Sequence, residues 1–124
     1  MHEESPFKGK TGLRRLWNAF NYSKDGFFEA LKCEDAFRQE VVLAALMIPA
    51  TFFLPVSGIG RALMIGSVLL VLIVEVLNSA VEAVVDRVSL ELHPLSKRAK
   101  DFGSLAVLLS LLNVLAVWAC VLVG

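Results

Sequence analysis

One stretch limits the fold of this chain more than any other. Between Arg61 and Arg87 it reads RALMIGSVLLVLIVEVLNSAVEAVVDR, an apolar run into which Glu75, Asn78, Ser79, Glu82 and Asp86 are set. At about 100° per residue these five positions share one helical sector, roughly 100° wide. Ala62 to Val74 is hydrocarbon apart from Gly66 and Ser67, so the helix enters a bilayer and carries carboxylates in with it. Charges at membrane depth cost on the order of 2.5–3.5 kcal/mol each. A cation, a partner helix or a reaction has to offset that cost.

Composition agrees with a membrane protein. The chain is 56% hydrophobic with a mean hydropathy of +0.68, against roughly 45–50% apolar for soluble domains. Its 124 residues make a single domain, and twelve basic against twelve acidic residues leave no net charge, which gives no reason to expect a nucleic-acid partner. Three segments are long enough to consider as spans. Val41 to Leu54 falls short of the roughly 20 residues required unless Ala36 to Glu40 continue the same helix, and Pro49 is a potential kink. The second begins at Ala62, after a turn over Pro55–Gly60. The third, Leu105 to Val123, is interrupted only by Ser110 and Asn113. Ser89 to Lys100 reads as a polar link broken by Pro94.

Charge orients these spans. Lys8, Lys10, Arg14, Arg15, Lys24, Lys32 and Arg38 precede the first, Arg61 alone follows it, and Arg87, Lys97, Arg98 and Lys100 flank the link before the third. Basic residues collect on the cytoplasmic side, which places the N-terminus and the 89–100 link in the cytosol. In a bacterium the membrane would be the inner one. No apolar signal region occurs in the first 36 residues. Leu13, Leu16, Trp17, Phe20, Phe27, Phe28 and Leu31 recur at helical spacing among basic residues, the pattern of an amphipathic helix lying in the membrane surface, with Gly26 as an expected interruption. The expected fold is therefore all-α: a surface helix over 12–32 and membrane helices over 36–54, 61–88 and 101–123.

Several familiar sites are missing. Gly9-Lys10-Thr11 matches the end of a P-loop, but that motif's first glycine would fall at Glu4 and no strand precedes it. No CxxC or HExxH spacing occurs, His2 and His93 are far apart, and Cys33 and Cys120 would lie a bilayer apart. The carboxylates remain. Glu34 opens the first span, Glu82 lies one turn from Asp86, and Glu75 is about 10 Å deeper than Glu82 by helical rise. Interfacial carboxylates with Lys100-Asp101 nearby could hold Mg²⁺ and phosphates, and a deeper one could take a proton from a lipid hydroxyl. Phosphoryl transfer asks for little beyond positioning and charge neutralisation.

Each residue also has a plainer role open to it. Glu75 and Asn78 could join helices; Glu82, Asp86, Glu34, Arg38 and Glu40 could be charges at the span ends; Lys97, Arg98 and Lys100 could anchor anionic lipid; Gly103-Ser104 could serve close helix packing.

Three strings in order tip this balance: EDAFRQE (Glu34–Glu40), EVLNSAVEAVVDR (Glu75–Arg87) and HPLSKRAKD (His93–Asp101). Together they resemble the signature segments of the small integral-membrane diacylglycerol kinases of bacteria, over about Gly12 to the C-terminus. The resemblance implies a homotrimer with three spans and a surface helix per subunit, sites shared between subunits, and conversion of diacylglycerol and MgATP to phosphatidic acid. It implies Glu75 as the catalytic base, and Glu34 and Glu82 as ligands of Mg²⁺ and its nucleotide. Arg15, Tyr22, Glu91, His93, Lys100 and Asp101 would hold ATP, while Arg15, Glu75, Asn78 and Ser104 would meet the lipid. Family members commonly read Tyr-Ser-Trp-x-Gly where this chain has Tyr22-Ser-Lys-Asp-Gly26, so Trp17 and Phe27 are the aromatic anchors left to that segment.

Two other readings are open. An undecaprenol kinase shares Glu-x-x-Asn-x-x-x-Glu and Ala-Lys-Asp, but tends to small residues where Phe102-Gly103-Ser104 stands here. A proton-coupled transporter subunit of similar length also carries an intramembrane Glu, but has four spans and short loops. The charge pattern predicts that an impermeant thiol reagent misses Cys33 in intact cells and reaches it in inverted vesicles. Labelling of Cys33 from outside would reverse the orientation.

Overall fold

A computed structural model describes residues 12–88 and 93–124; Gly9–Thr11, with its P-loop likeness, lies outside them. Every element among the described residues is a helix. The first, α1, is Gly12–Cys33, a unit by itself. It runs unbroken through Gly26, where an interruption was expected. A glycine inside a helix costs only about 1 kcal/mol relative to alanine, too little to end one without a further breaker. Leu13, Leu16, Trp17 and Phe20 line an open apolar groove along α1, with Trp17 and Phe20 stacked at 6.2 Å between ring centres.

The second unit, Glu34–Gly124, holds three helices. Glu34 has extended backbone (φ −116°, ψ 109°) and its side chain makes no capping bond. The next helix, α2, is Asp35–Ala50, so residues 36–40 do continue the helix of the first span. Asp35 sits favourably at its positive N-terminal end and pairs with Arg38. Pro49 lies in the last turn. Its ring crowds the preceding turn and it has no N–H to give, and the chain tightens into a 3-10 turn, Thr51–Phe53.

Helix α3, Gly58–Val88, follows at once. Ser57 Oγ accepts from Gly60 N–H at 3.0 Å, capping the helix start. Arg61, the lone basic residue at this end, closes the turn: its Nε donates to Thr51 O at 3.0 Å, and its guanidinium stands 5.3 Å from the Phe52 ring centre.

Helix α4 is Pro94–Val123. The link expected over Ser89–Lys100 is thus helical from Pro94 on. Proline is well suited to the first position of a helix, and His93 Nδ1 caps it by accepting Leu95 N–H at 3.0 Å. Across the bundle α3 packs most extensively on α4 and less on α2. The buried residues of α3 are Gly60, Met64, Ser67, Val68, Val71 and Glu75, a stripe at helical spacing. Near its start, a Cβ on Gly60 would stand 3.0 Å from Val121 Cγ1, so the backbones approach there because no side chain intervenes. One turn further on, Trp118 Nε1 donates to Met64 O at 3.2 Å. At its other end the stripe runs onto Glu75. The helices Asp35–Phe53, Gly58–Val88 and Pro94–Val123 are long and apolar enough to cross a membrane.

Candidate active site

The polar sector of α3 is the packing seam continued. From Val71 the next positions on the same face are Glu75, Asn78 and Glu82, so the side chains that follow the apolar stripe are turned toward α2 and α4. Exposure grows along the sector: Glu75 is 7% exposed, Asn78, Ser79 and Glu82 are half-buried, and Asp86 is open.

Three contacts assemble the site. On α2, the Glu40 side chain lies beside that of Glu75. On α4, Gly103 leaves room for Asn78, since a Cβ at residue 103 would collide with Asn78 Oδ1. Nearer the open end, Lys100 Nζ lies 2.8 Å from Asp86 Oδ1. Within α3, Asn78 Nδ2 donates to Glu82 Oε1 at 3.4 Å.

Glu40 Oε2, Glu75 Oε2 and Asn78 Oδ1 are buried without hydrogen-bond partners. A buried acceptor left unpaired costs about 1–3 kcal/mol, and three of them lie on the contacting side chains of one seam. All three can receive a proton donor. Beside them, an apolar cleft of about 290 Å³ opens between α2, α3 and α4, lined by Leu43, Met47, Val68, Val71, Leu111 and others, with Glu40 as its one polar wall residue.

The remaining residues singled out from sequence are spread over the helices. Glu34 is half-buried at the start of α2. Lys100 and Asp101, adjacent in sequence, have separate partners: Lys100 pairs with Asp86, and Asp101 with Lys97 at 2.6 Å. His93 is engaged as a helix cap, and Ser104 is exposed beside Gly103. Arg15 and Tyr22 are exposed on α1. Glu91 lies outside the described residues. Sequence reasoning left Glu40 and Asp86 without a role in chemistry. The helical sector did contain Asp86, but no spacing rule joins Glu40 to Glu75 across two helices.

Among the described residues no three His, Cys, Asp or Glu side chains converge on one point. Glu34 and Glu82 nonetheless suit Mg²⁺, which takes one or two carboxylates and completes its shell with phosphate oxygens and water. The Glu34 carboxylate makes no capping bond, and Glu82 makes only a long hydrogen bond to Asn78.

Fold and site together define a helical membrane protein with a carboxylate site set into its bundle. The sequence profile of the prokaryotic diacylglycerol kinases matches residues 21–122. A diacylglycerol kinase of Pseudomonas aeruginosa is 58% identical over 120 residues, 97% of this chain and 98% of the relative. One from Escherichia coli is 49% identical, covering 90% of this chain and 91% of the relative, and one from Helicobacter pylori is 41% identical, covering 93% and 89%. The chain belongs to the prokaryotic diacylglycerol kinase family.

The Asn78–Gly103 fit yields a direct test. Glu75 and Glu82 flank Asn78, so Gly103→Ala should swing Asn78 out of the seam and lower kcat by about tenfold or more, with fold and assembly retained. Gly103→Ala at parental kcat would show that Asn78 needs no fixed place.

Proposed function

We infer that this protein is a membrane-embedded kinase that transfers the γ-phosphoryl group of ATP to the free hydroxyl of diacylglycerol, giving phosphatidic acid. The observation that carries this reading is Glu75: a carboxylate buried in the bundle, with one oxygen unpartnered, at the end of an apolar seam. Family membership supplies the substrate class. The cleft beneath Glu40 suits an acyl chain, which would enter from the bilayer and bring the hydroxyl to the carboxylates.

In this mechanism the lipid hydroxyl donates its hydrogen bond to Glu75 Oε2. As the hydroxyl oxygen bonds to the γ-phosphorus, its proton passes to Glu75 and the bond from phosphorus to the ADP oxygen breaks. Asn78 fixes the neighbouring polar surface through Gly103 and Glu82. Glu34 and Glu82 would hold Mg²⁺, which when bound neutralises phosphate charge. Lys100, kept at the open end by Asp86, and Asp101, His93, Glu91, Arg15 and Tyr22 would meet the nucleotide. Low dielectric around Glu75 strengthens its hydrogen bond to the lipid hydroxyl relative to water.

Placement follows from the charge bias: three spans in a bacterial inner membrane, with the N-terminus and the α3–α4 link in the cytoplasm and α1 on the membrane surface. Ser79 and Glu82 remain half-buried after α2 and α4 have packed, and lipid cannot satisfy them. A neighbouring chain would complete the enclosure, in a homotrimer that shares sites.

Purified protein in mixed micelles with labelled ATP should phosphorylate diacylglycerol, and removal of Mg²⁺ should stop it. Undecaprenol as the far better acceptor would overturn the substrate, and labelling of neither lipid would overturn the enzyme. For the assembly, Glu34→Ala and Glu75→Ala chains unfolded and reassembled together should regain activity, because one supplies Glu75 and the other Glu34. Mixtures as inactive as either variant would end the shared-site proposal.

A further inference from the structure

The leucines, phenylalanines and tryptophan of α1 share a helical sector roughly 120° wide, at about 100° per residue. Lys24 falls about 20° from the middle of it. Because α1 runs unbroken through Gly26, the sector holds on both sides of that glycine. One turn to either side of Lys24 stand Phe20, Asn21, Phe27 and Phe28, so the lysine is set among aromatic rings. Arg14, Arg15 and Lys32 lie outside the sector, where an interfacial helix ordinarily carries its basic residues. Lys24 itself is exposed. Its nearest acids on the helix, Asp25 and Glu29, project about 100° and 140° round from it. Among the described residues no ion pair, hydrogen bond or aromatic ring engages its ammonium.

We propose that Lys24 binds the phosphate of an anionic phospholipid in the membrane on which α1 lies. This rests on the surface placement of α1. With the apolar sector turned into the bilayer, a charge at its middle is costly unless it reaches a polar layer. The four-carbon stem of lysine allows this: it runs along apolar neighbours while the ammonium returns to the level of the headgroups. The groups that meet it there are lipid phosphates. A zwitterionic lipid brings a cation of its own beside the phosphate, whereas an anionic lipid brings uncompensated charge, so the lysine selects the anionic one. Arg14, Arg15 and Lys32, outside the sector, face the general field of the membrane surface. Lys24, fixed in the lipid-facing sector, meets an individual headgroup.

Trp17 reports on this site, since it lies in the same sector two turns from Lys24. The intact chain is placed in phosphatidylcholine bilayers carrying a minor fraction of acyl-brominated lipid, either phosphatidylglycerol or phosphatidylcholine, and bromine quenches a tryptophan that it touches. The chain's other tryptophan, Trp118, is subtracted with a Trp17→Phe chain. Quenching of Trp17 should show phosphatidylglycerol enriched about fivefold over phosphatidylcholine, the effect of one basic residue near an anionic surface, and the preference should fade at about 1 M salt. Lys24→Gln, similar in helix propensity, should lose most of the enrichment, and Lys24→Arg should keep it. Arg14→Gln removes the same charge one turn from Trp17 but outside the sector, and should have the smaller effect. The proposal is overturned by equal quenching from both lipids in the parent, by parental enrichment in Lys24→Gln, or by Lys24→Arg as poor as Lys24→Gln. A loss in Arg14→Gln as large as in Lys24→Gln makes the preference one of net charge and overturns it too, as does a Lys24→Gln chain that no longer assembles. No quenching of Trp17 by either lipid takes α1 off the bilayer and defeats the surface-helix reading itself, whereas quenching that ignores Lys24 defeats only this site.

Discussion

A carboxylate inside a bilayer must be enclosed, and the architecture of this chain follows from enclosing Glu75. Lipid offers it nothing to bond with, so the helix that carries it has to turn that face toward protein. The stripe from Gly60 to Val71 does this by ordinary close packing: small and aliphatic residues at helical spacing bury against α4 and α2. Continuing the stripe by one more turn places Glu75 in the same seam. The site is thus oriented by the apolar half of the helix.

Fixed points along the seam keep it in register. At the far end Arg61 clasps the α2–α3 turn, Gly60 admits Val121 and, one turn on, Trp118 bonds Met64 O; at the open end Asp86 meets Lys100. Between the last two, Asn78 occupies the space at Gly103. Such contacts limit sliding of α3 against α4, and sliding by a single helical rise of about 1.5 Å would misplace Asn78 and Glu75 together. The Asp86–Lys100 pair is about half exposed and adds little stability. Its value is in holding a cationic side chain at the mouth of the site, where phosphate would arrive.

Much of this was legible in sequence because period and hydropathy act locally. The polar sector over Glu75–Asp86, the three apolar segments and the basic flanks are each properties of neighbouring residues. The identity of Glu75 as the deepest carboxylate followed from counting along one helix. Local signals also mislead: Gly26 and Pro94 read as breaks, yet one is tolerated within α1 and the other starts α4. What could not be read were pairings that depend on how helices dock. Glu40 with Glu75, Lys100 with Asp86 rather than acting beside Asp101, and Gly103 as the recess for Asn78 all depend on inter-helix register, which periodicity along one helix does not encode.

The central claim is that Glu75 acts in the transition state while the carboxylates nearer the surface hold the nucleotide. It is tested most directly by measuring turnover and MgATP affinity in the same preparation of Glu75→Gln. Turnover should fall by about 10²-fold or more, the range of a lost general base, with MgATP affinity unchanged, whereas Glu34→Gln and Glu82→Gln should lose affinity. Retained turnover in Glu75→Gln, or a loss of nucleotide binding there as large as in Glu34→Gln and Glu82→Gln, would contradict it.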